Sequence, residues 1–284
     1  MNAEERLQAT SGALAAASRA ESRALLATCV AAAAKGAEAI RARAGTDAAR
    51  QALEWEAKGV ADYVTEVDRA SETAVMEVIR ARHPDAAIVA EEGTPDGELA
   101  RGLTFVADPL DGTTNFLHGF PWYAVSVAAL VEGTPVAGAI LNVPTGELFT
   151  ATLGGGARRA GAPITVSRIT EPARALVGTG FPFKHPEHVE DYVRAFAEIM
   201  RATAGIRRPG SAALDLADVA CGRFDAFWEM RLAPWDVAAG ILIVREAGGL
   251  VTDLAGAAAP VAHGPIVAGN PAMHAWLLER VKNV

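Results

Sequence analysis

The pattern of predicted strands and helices changes near the middle of this chain, and that change limits the folds open to it. Residues 122–131, 136–142 and 148–153 are rich in Val, Ile, Phe and Leu and are separated by turn sequences containing Gly and Pro. Three such segments are typical of an antiparallel meander. From residue 175 onward, strand-like and helix-like segments alternate, which is typical of α/β structure. We therefore predict a mixed α/β fold with two subdomains packed as layers.

The domain boundaries follow from the same pattern. We predict a single domain over residues 23–284, with a mixed subdomain at approximately 23–160 and an α/β subdomain at 161–284. Residues 1–22 are rich in Ala, Ser and charged side chains. This composition predicts an N-terminal extension that is either a frayed helix or a disordered tail.

Individual elements are predicted from periodicity and from capping residues. In the first subdomain we expect helices at residues 24–43 and 66–81, with Thr65 as the N-cap of the second. In the second subdomain we expect strands at 175–178, 225–229, 250–252 and 266–268, and helices at 188–203, 211–221, 235–246 and 271–281.

Bulk composition narrows the classes of function. The chain has 284 residues and a formal net charge of −8, which argues against nucleic acid as a direct partner. A phosphorylated substrate is still compatible with this charge, because bound metal ions reverse the local field. The two cysteines, Cys29 and Cys221, fit a reducing compartment. Because no segment resembles a signal peptide or a membrane span, we predict a cytoplasmic protein without a membrane partner.

The stretch from Asp108 to Phe116 carries the clearest chemical signal. The apolar run before it predicts a buried strand that ends at Asp108, since Pro109 cannot donate to a ladder. Gly112 suits a tight turn, and the two threonines after it are able to open a short helix. Carboxylates at a strand end beside a helix start point to Mg²⁺-dependent phosphate chemistry. For Asp-Pro-Leu-Asp-Gly alone, an ordinary Asx-turn is the alternative.

This stretch resembles the metal-binding motif of the inositol monophosphatase family, a group of Mg²⁺-dependent, lithium-sensitive phosphatases. Three other segments fit the same family in the same order, namely Asp62–Asp68, Ala90–Gly93 and Trp235–Gly240. The resemblance runs from about Lys58 to the C-terminus. It implies a five-layered αβαβα sandwich of the sugar-phosphatase type, two or three Mg²⁺ ions per active site, and a homodimer.

The resemblance also assigns the metal ligands. Glu91 is expected to bind the first metal and to orient the attacking water, and the backbone carbonyl of Leu110 completes that site. Asp108 is expected to bridge two metals, while Asp111 and Asp236 hold the second. Taken alone, Glu91 also fits a solvated turn, and Asp236 also fits an ordinary acid in the first turn of a helix.

A second set of residues is assigned to proton transfer and phosphate binding. By the resemblance, the Thr113 hydroxyl touches the nucleophilic water, and Asp68 accepts a hydrogen bond from Thr113. Gly112, Thr113 and Thr114 are expected to present backbone N–H groups to the phosphate. Lys58 is placed on a loop near the metals, although a solvated loop Lys fits nearly as well. For Thr113 alone, a plain N-cap is the alternative.

The remaining assignments concern the alcohol part of the substrate. Glu229 lies seven residues before Asp236, the family spacing for an acid that binds a substrate hydroxyl. Residues 210–212 match the family's substrate-contacting turn. The full set of expected substrate contacts is Asp111, Gly112, Thr113, Thr114, Gly210, Ser211, Ala212, Glu229 and Asp236.

Several functions remain open from the sequence. The favoured one is Mg²⁺-dependent hydrolysis of myo-inositol monophosphate, and histidinol phosphate or another small sugar or nucleotide phosphate is the alternative. A different class of function is also open, because some bacterial relatives act as interaction proteins of the transcription machinery. In that alternative, catalysis by this chain would be vestigial. The complete metal set in this chain favours catalysis.

Overall fold

The computed structural model describes residues 19–45, 53–59, 62–95, 99, 102–183 and 186–282. Most of the predicted N-terminal extension, residues 1–18, therefore lies outside the described residues. The first helix begins at Arg19, five residues before the predicted start. Glu21 lies in its first turn, where a negative charge interacts favourably with the helix dipole.

The described elements follow the predicted order. The helices are α1 (Arg19–Ala44), α2 (Glu66–Arg82), α3 (Thr113–Leu117), α4 (Val189–Ala202), α5 (Ala212–Ala220), α6 (Pro234–Glu246) and α7 (Pro271–Val281). The strands are β1 (Trp55–Gly59), β2 (Asp62–Thr65), β3 (Ala87–Ala90), β4 (Leu103–Asp111), β5 (Ala124–Val131), β6 (Thr134–Asn142), β7 (Leu148–Thr152), β8 (Gly156–Arg159), β9 (Ala162–Pro163), β10 (Leu176–Thr179), β11 (Gly205–Arg207), β12 (Ala226–Leu232), β13 (Leu250–Thr252) and β14 (Gly264–Gly269).

The strands form two main sheets and one hairpin. The first sheet has seven strands in sequential order from β3 to β9, and only its β3–β4 pair is parallel. The predicted meander is confirmed as the antiparallel run β5–β6–β7. The second sheet has the order β11–β10–β12–β14–β13. The sequence analysis missed the short strand β11 and the hairpin formed by β1 and β2.

The helices separate these sheets into layers. The pair α1 and α2 covers one face of the seven-stranded sheet, and the pair α5 and α6 covers its other face. The same α5–α6 pair packs against the five-stranded sheet, whose outer face carries α7 with α4 beside it. The result is the expected αβαβα sandwich. None of the described helices is both long enough and apolar enough to cross a membrane.

Close packing in the central helical layer depends on one glycine. A Cβ atom at Gly240 would lie 2.4 Å from Leu216 Cδ1, so α6 approaches α5 more closely than any larger residue allows. Nearly the whole of α6 is buried, because it lies between two sheets. Its first turn is thereby held at a fixed position beside the end of β4.

Strand β4 differs from the prediction in one respect. It does not end at Asp108 but continues through Pro109 to Asp111, with a shift of register between the two acids. Asp108 pairs with Ser126 and Asp111 with Ala124, so two intervening residues on β4 lie opposite one on β5. Such a bulge is a place where a strand tolerates proline, because the extra residue leaves the ladder.

Candidate active site

The bulge in β4 decides the direction of the two acids of the motif. In a regular strand, residues three apart point to opposite faces of the sheet. Because one extra residue lies between Asp108 and Asp111, both occupy positions that face the same side. On the opposite side of the bulge, the Ser71 hydroxyl of α2 donates to the Pro109 carbonyl at 2.7 Å. Pro109 is therefore part of the bulge that directs both carboxylates to the same side of the sheet.

Two further acids reach the same region from neighbouring elements. Glu91 directly follows β3, which runs parallel to β4, so both strands end at the same edge of the sheet. Asp236 lies in the first turn of α6, which begins two residues after β12 ends. The seven-residue spacing from Glu229 to Asp236 therefore runs from the middle of β12 to the first turn of α6.

Protein donors hold one oxygen of each of three acids. Asp108 Oδ1 accepts from the Leu110 N–H at 2.9 Å, and Asp236 Oδ2 accepts from the Ala233 N–H at 2.6 Å. Asp111 Oδ2 accepts from the Ser211 hydroxyl at 2.6 Å and from the Ala213 N–H at 2.8 Å. These bonds restrict the rotamers of the acids and connect β4 to the start of α5.

The electrostatics of the cluster favour a bound cation. Burial raises the pKa of Asp108 well above its ordinary value, and the nearby Glu91, Asp111 and Asp236 raise it further. Burial raises the pKa of Asp111 to about 6, against the opposing effect of its hydrogen bond from Ser211. Burial followed by the charges of Asp111 and Glu91 also raises the pKa of Asp236. Carboxylates that disfavour one another's ionisation are suited to a divalent cation, which removes the repulsion.

The donor set therefore fits Mg²⁺ chemically, since it offers hard oxygen ligands at a strand end. Within the described ranges, no three His, Cys, Asp or Glu side chains are already arranged to hold a metal ion. The Leu110 carbonyl, the fifth expected ligand, lies within the bulge and also accepts from the Thr113 hydroxyl at 3.1 Å.

Thr113 and Asp68 form the expected pair. The Thr113 hydroxyl lies 2.9 Å from Asp68 Oδ1, although the two residues come from different helices. The other oxygen, Asp68 Oδ2, accepts from both the N–H (2.8 Å) and the hydroxyl (2.6 Å) of Thr65. Thr65 caps α2 as predicted, and Asp68 is its capping-box partner, 1% exposed. Because of this burial, Asp68 is not an ordinary surface acid in the first turn of a helix.

A short helix starts immediately after the metal motif. Gly112 is the N-cap of α3 and has φ of 98°, which favours glycine. A Cβ atom there would also lie 3.1 Å from the Trp122 carbonyl and 3.2 Å from the Gly210 carbonyl. The first N–H groups of a helix lack partners within the helix, so those of Thr113 and Thr114 are suited to an anion.

Asn115 joins this short helix to the predicted substrate turn. Its side-chain amide donates to the Trp122 carbonyl at 2.7 Å and to the Pro209 carbonyl at 2.8 Å. In that turn Ser211 is 1% exposed, and its hydroxyl is used for Asp111 and for capping α5. Ser211 is thus positioned to orient the Asp111 carboxylate, and Gly210 and Ala212 line the neighbouring cavity.

A cavity of about 200 Å³ extends from the carboxylates toward β12. Glu229 lies in its wall, backed by Gly180, where a Cβ atom would come within 2.0 Å of the Glu229 carboxyl carbon. The lining includes Asp111, Gly180, Phe181, Pro182, Phe183, Arg208, Gly210, Ser211, Ala212, Asp215, Glu229, Met230, Arg231, Leu232 and Asp236. The cavity therefore brings Asp111 and Asp236 together with Glu229 and with the turn at residues 210–212. Lys58 lies in β1, and its side chain is outside the described part of the chain.

The sequence analysis missed several residues of this site. The Arg208 guanidinium lies over two rings of the cavity wall, 5.4 Å from the Phe181 centroid and 5.1 Å from that of Phe183. Asp215 lies in the wall as a buried acid of α5, and the only sequence signal was an acid within an apolar helix.

Glu72 supports the turn that carries Glu91 and was also missed. Its Oε2 atom accepts from the Glu92 N–H at 2.8 Å. Gly93 leaves room for this contact, because a Cβ atom there would lie 2.6 Å from Glu72 Oε1. No local pattern identifies Glu72, since its partner is twenty residues away.

Comparison with known sequences identifies the relatives of this chain. The model of the inositol monophosphatase family matches residues 21–284. The chain is 46% identical over 230 residues to the Nus factor SuhB of Pseudomonas aeruginosa, covering 79% of this chain and 84% of that protein. It is 42% identical over 230 residues to the chloroplastic phosphatase IMPL1 of Arabidopsis thaliana, covering 79% of this chain and 62% of that protein.

Solved structures show the same fold. The inositol monophosphatase of Anabaena (Nostoc) sp. PCC 7120 superimposes with a TM-score of 0.80 at 35% identity, over 92% of this chain and 96% of that chain. The extragenic suppressor protein SuhB of Bartonella henselae superimposes with a TM-score of 0.85 at 40% identity, over 91% of this chain and 98% of that chain.

Proposed function

Because the chain belongs to the inositol monophosphatase family, we propose that it is a Mg²⁺-dependent phosphatase that hydrolyses myo-inositol monophosphate. The observation that supports this most is the buried carboxylate cluster beside the Thr113–Asp68 pair. The cluster attracts cations, and the pair lies next to it with a hydroxyl suited to contact a water. Together they provide the two requirements of metal-assisted ester hydrolysis.

The residues that would hold the metal are Glu91, Asp108, Asp111, Asp236 and the Leu110 carbonyl. When bound, two or three Mg²⁺ ions supply an acidified water and positive charge that offsets the charge of the phosphate. Asp108 would be the central ligand of this set, because it is the most buried of the four acids and all three others raise its pKa.

Thr113 and Asp68 would position the attacking water. A hydroxyl has one proton to donate and two lone pairs that accept. Because the Thr113 hydroxyl donates toward Asp68, its lone pairs remain for a proton of the water. Asp68 is held in turn by both donors of Thr65, so the acceptor does not rotate away. This arrangement supports general-base assistance without a histidine.

The two ends of the ester would be bound by different elements. The backbone N–H groups of Gly112, Thr113 and Thr114 are proposed to face the phosphate. Glu229 is proposed to accept from a hydroxyl of the alcohol, because an unpaired hydroxyl buried in the cavity would be costly. Polyol phosphates fit this division better than esters without hydroxyls.

A panel of phosphate esters tests the proposal. Phosphate release would be measured with inositol 1-phosphate, histidinol phosphate, fructose 1,6-bisphosphate and phosphoadenosine phosphate, each with Mg²⁺ and with chelator. We expect Mg²⁺-dependent turnover with preference for inositol 1-phosphate. Preference for another ester would change the substrate and keep the mechanism. Turnover that persists in chelator would refute the metal mechanism.

A second function is favoured by the relatives named Nus factor SuhB. We propose that this chain also contacts the transcription machinery through protein surfaces, with no direct role for nucleic acid. Pull-down of transcription elongation complexes with wild-type protein and with Asp108→Asn separates the two roles. Equal recovery would show that this contact does not need catalysis, and no recovery with either protein would reject the second function.

Further properties are proposed on the basis of the family alone. We propose a homodimer, inhibition by Li⁺, and location in the cytoplasm. Light scattering of the purified protein tests the first of these, and phosphate release in graded LiCl tests the second.

A further inference from the structure

Asp215 is a buried acid that the proposed mechanism does not use. It lies in the first turn of α5 and is 1% exposed. Its Oδ1 atom is buried and has no hydrogen-bond partner among the described residues. The residue nevertheless lines the cavity that holds Asp111 and Glu229.

The next acid on the same helix shows how unusual this arrangement is. Asp218 is also buried, at 4% exposure, but its Oδ1 atom accepts from the Arg223 guanidinium at 3.0 Å. Burying a polar atom without a partner costs about 1–3 kcal/mol. Of these two acids, only Asp215, which lines the cavity, has a buried Oδ1 atom without a partner among the described residues.

The position of Asp215 is fixed relative to the phosphate side of the cavity. The first turn of α5 binds Asp111 through the Ser211 hydroxyl and the Ala213 N–H. Asp215 follows on the same rigid helix, and its N–H donates to the Ser211 carbonyl at 2.9 Å. The carboxyl of Asp215 therefore lies in the cavity wall at a fixed distance from Asp111.

We propose that Asp215 is a specificity-determining residue, whose carboxyl forms a hydrogen bond with a hydroxyl of the alcohol part of the ester. This inference rests on the proposed function and deepens it. Glu229 supplies one polar contact to a polyol, and Asp215 supplies a second from a different element. An ester without further hydroxyls gains nothing from Asp215.

The charges around Asp215 support a hydroxyl as its partner. Burial raises the pKa of Asp215 well above its ordinary value, and the charges of Glu229 and Asp111 raise it further, while Arg208 opposes them. A carboxyl accepts a hydrogen bond in either protonation state, and its protonated form also donates one. A hydroxyl matches both capacities.

Two substitutions test this role. Asp215→Ala removes the carboxyl, and Asp215→Asn keeps the shape together with a donor and an acceptor. We expect Asp215→Ala to lower kcat/KM for inositol 1-phosphate by roughly 10- to 100-fold, as for loss of a buried hydrogen bond. Turnover of 4-nitrophenyl phosphate should stay within about twofold, and Asp215→Asn should keep most of the inositol phosphate activity.

The melting temperature distinguishes this role from a structural one, because loss of a structural contact would lower Tm. Removing an unpartnered buried carboxyl should raise Tm, so Asp215→Ala is expected to be more stable and less selective. Asp218→Ala is the matched control on the same helix. It breaks the contact with Arg223 and should lower Tm, while the ratio of the two ester activities stays as in the wild type.

Inositol binding keeps the test separate from catalysis. Calorimetric titration of the wild type and Asp215→Ala with inositol, in the presence of Mg²⁺, should show weaker binding by the variant. If the wild type turns over no ester, the proposed function fails, and this titration still decides the role of Asp215. Equal losses on both esters, or equal inositol affinity in both proteins, would overturn the inference.

Discussion

At the scale of single residues, the Thr113 hydroxyl is the group on which the proposed chemistry depends most. It lies between Asp68 Oδ1 at 2.9 Å and the Leu110 carbonyl at 3.1 Å. Both partners belong to the proposed site, one to proton transfer and one to metal binding. Valine has nearly the same shape as threonine but no hydroxyl, so its substitution for Thr113 tests the chemical role separately from packing.

We expect Thr113→Val to reduce kcat by about 10²- to 10⁴-fold, because it removes the contact to water and to Asp68. The measurement is Mg²⁺-dependent phosphate release, with Tm to show that the fold is intact. Thr73→Val on α2 is the control, since the Thr73 hydroxyl is exposed and donates only to the Arg69 carbonyl. A Thr113→Val enzyme with nearly full kcat would remove Thr113 from the mechanism.

A second prediction at this scale concerns the protonation of the carboxylates. The raised pKa of Asp111, about 6, means that this acid keeps its proton below that pH in the metal-free protein. Mg²⁺ must displace such protons, so its apparent affinity should weaken as the pH falls from about 7.5 to about 5.5. Titration calorimetry in two buffers of different ionisation enthalpy would detect the released protons. Affinity that does not change with pH would contradict the prediction.

At the scale of secondary-structure elements, the end of α6 is fastened to the turn between β7 and β8. The Glu246 carboxylate accepts from the Gly154 N–H and from the Gly156 N–H, each at 2.8 Å. Both glycines have positive φ, so the turn cannot be rebuilt with ordinary residues. One side chain therefore links the central helical layer to the seven-stranded sheet, away from the active site.

Glu246→Ala should destabilise the fold by about 1–3 kcal/mol, because two N–H groups lose a charged acceptor. Urea unfolding measures this change, and kcat should be unaltered because the turn lies outside the cavity. Glu279→Ala is the control, since Glu279 forms only an exposed pair with Lys282. Such a pair contributes little. Equal stability of the two variants would show that the link at Glu246 is without effect.

At the scale of the whole molecule, the proposed metal site joins parts of the fold that are distant in sequence. Glu91 and Asp108 come from the seven-stranded sheet, while Asp236 begins a helix of the central layer. A cation bound among them would connect these elements in the folded state, and the unfolded chain would not bind it in this way. Metal binding should therefore appear as added stability.

Mg²⁺ at about 100 times its Kd should stabilise the protein by about 2.7 kcal/mol, which corresponds to a rise of several degrees in Tm. Asp108→Asn should remove most of this rise, because it neutralises the acid whose pKa all three others raise. Differential scanning calorimetry with MgCl₂ and with KCl at matched ionic strength provides the comparison. A rise that is equal in the two salts would indicate ionic strength and not a site.

The sequence determined the order of the elements and much of the site. Periodicity and capping depend on neighbours along the chain, so α2 after Thr65 and the short helix after Gly112 were predictable. Tertiary structure alone decided that β4 passes through Pro109 in a bulge, because register depends on pairing with β5. It alone placed Asp215 in the cavity wall, since burial without a partner depends on every element packed around a side chain.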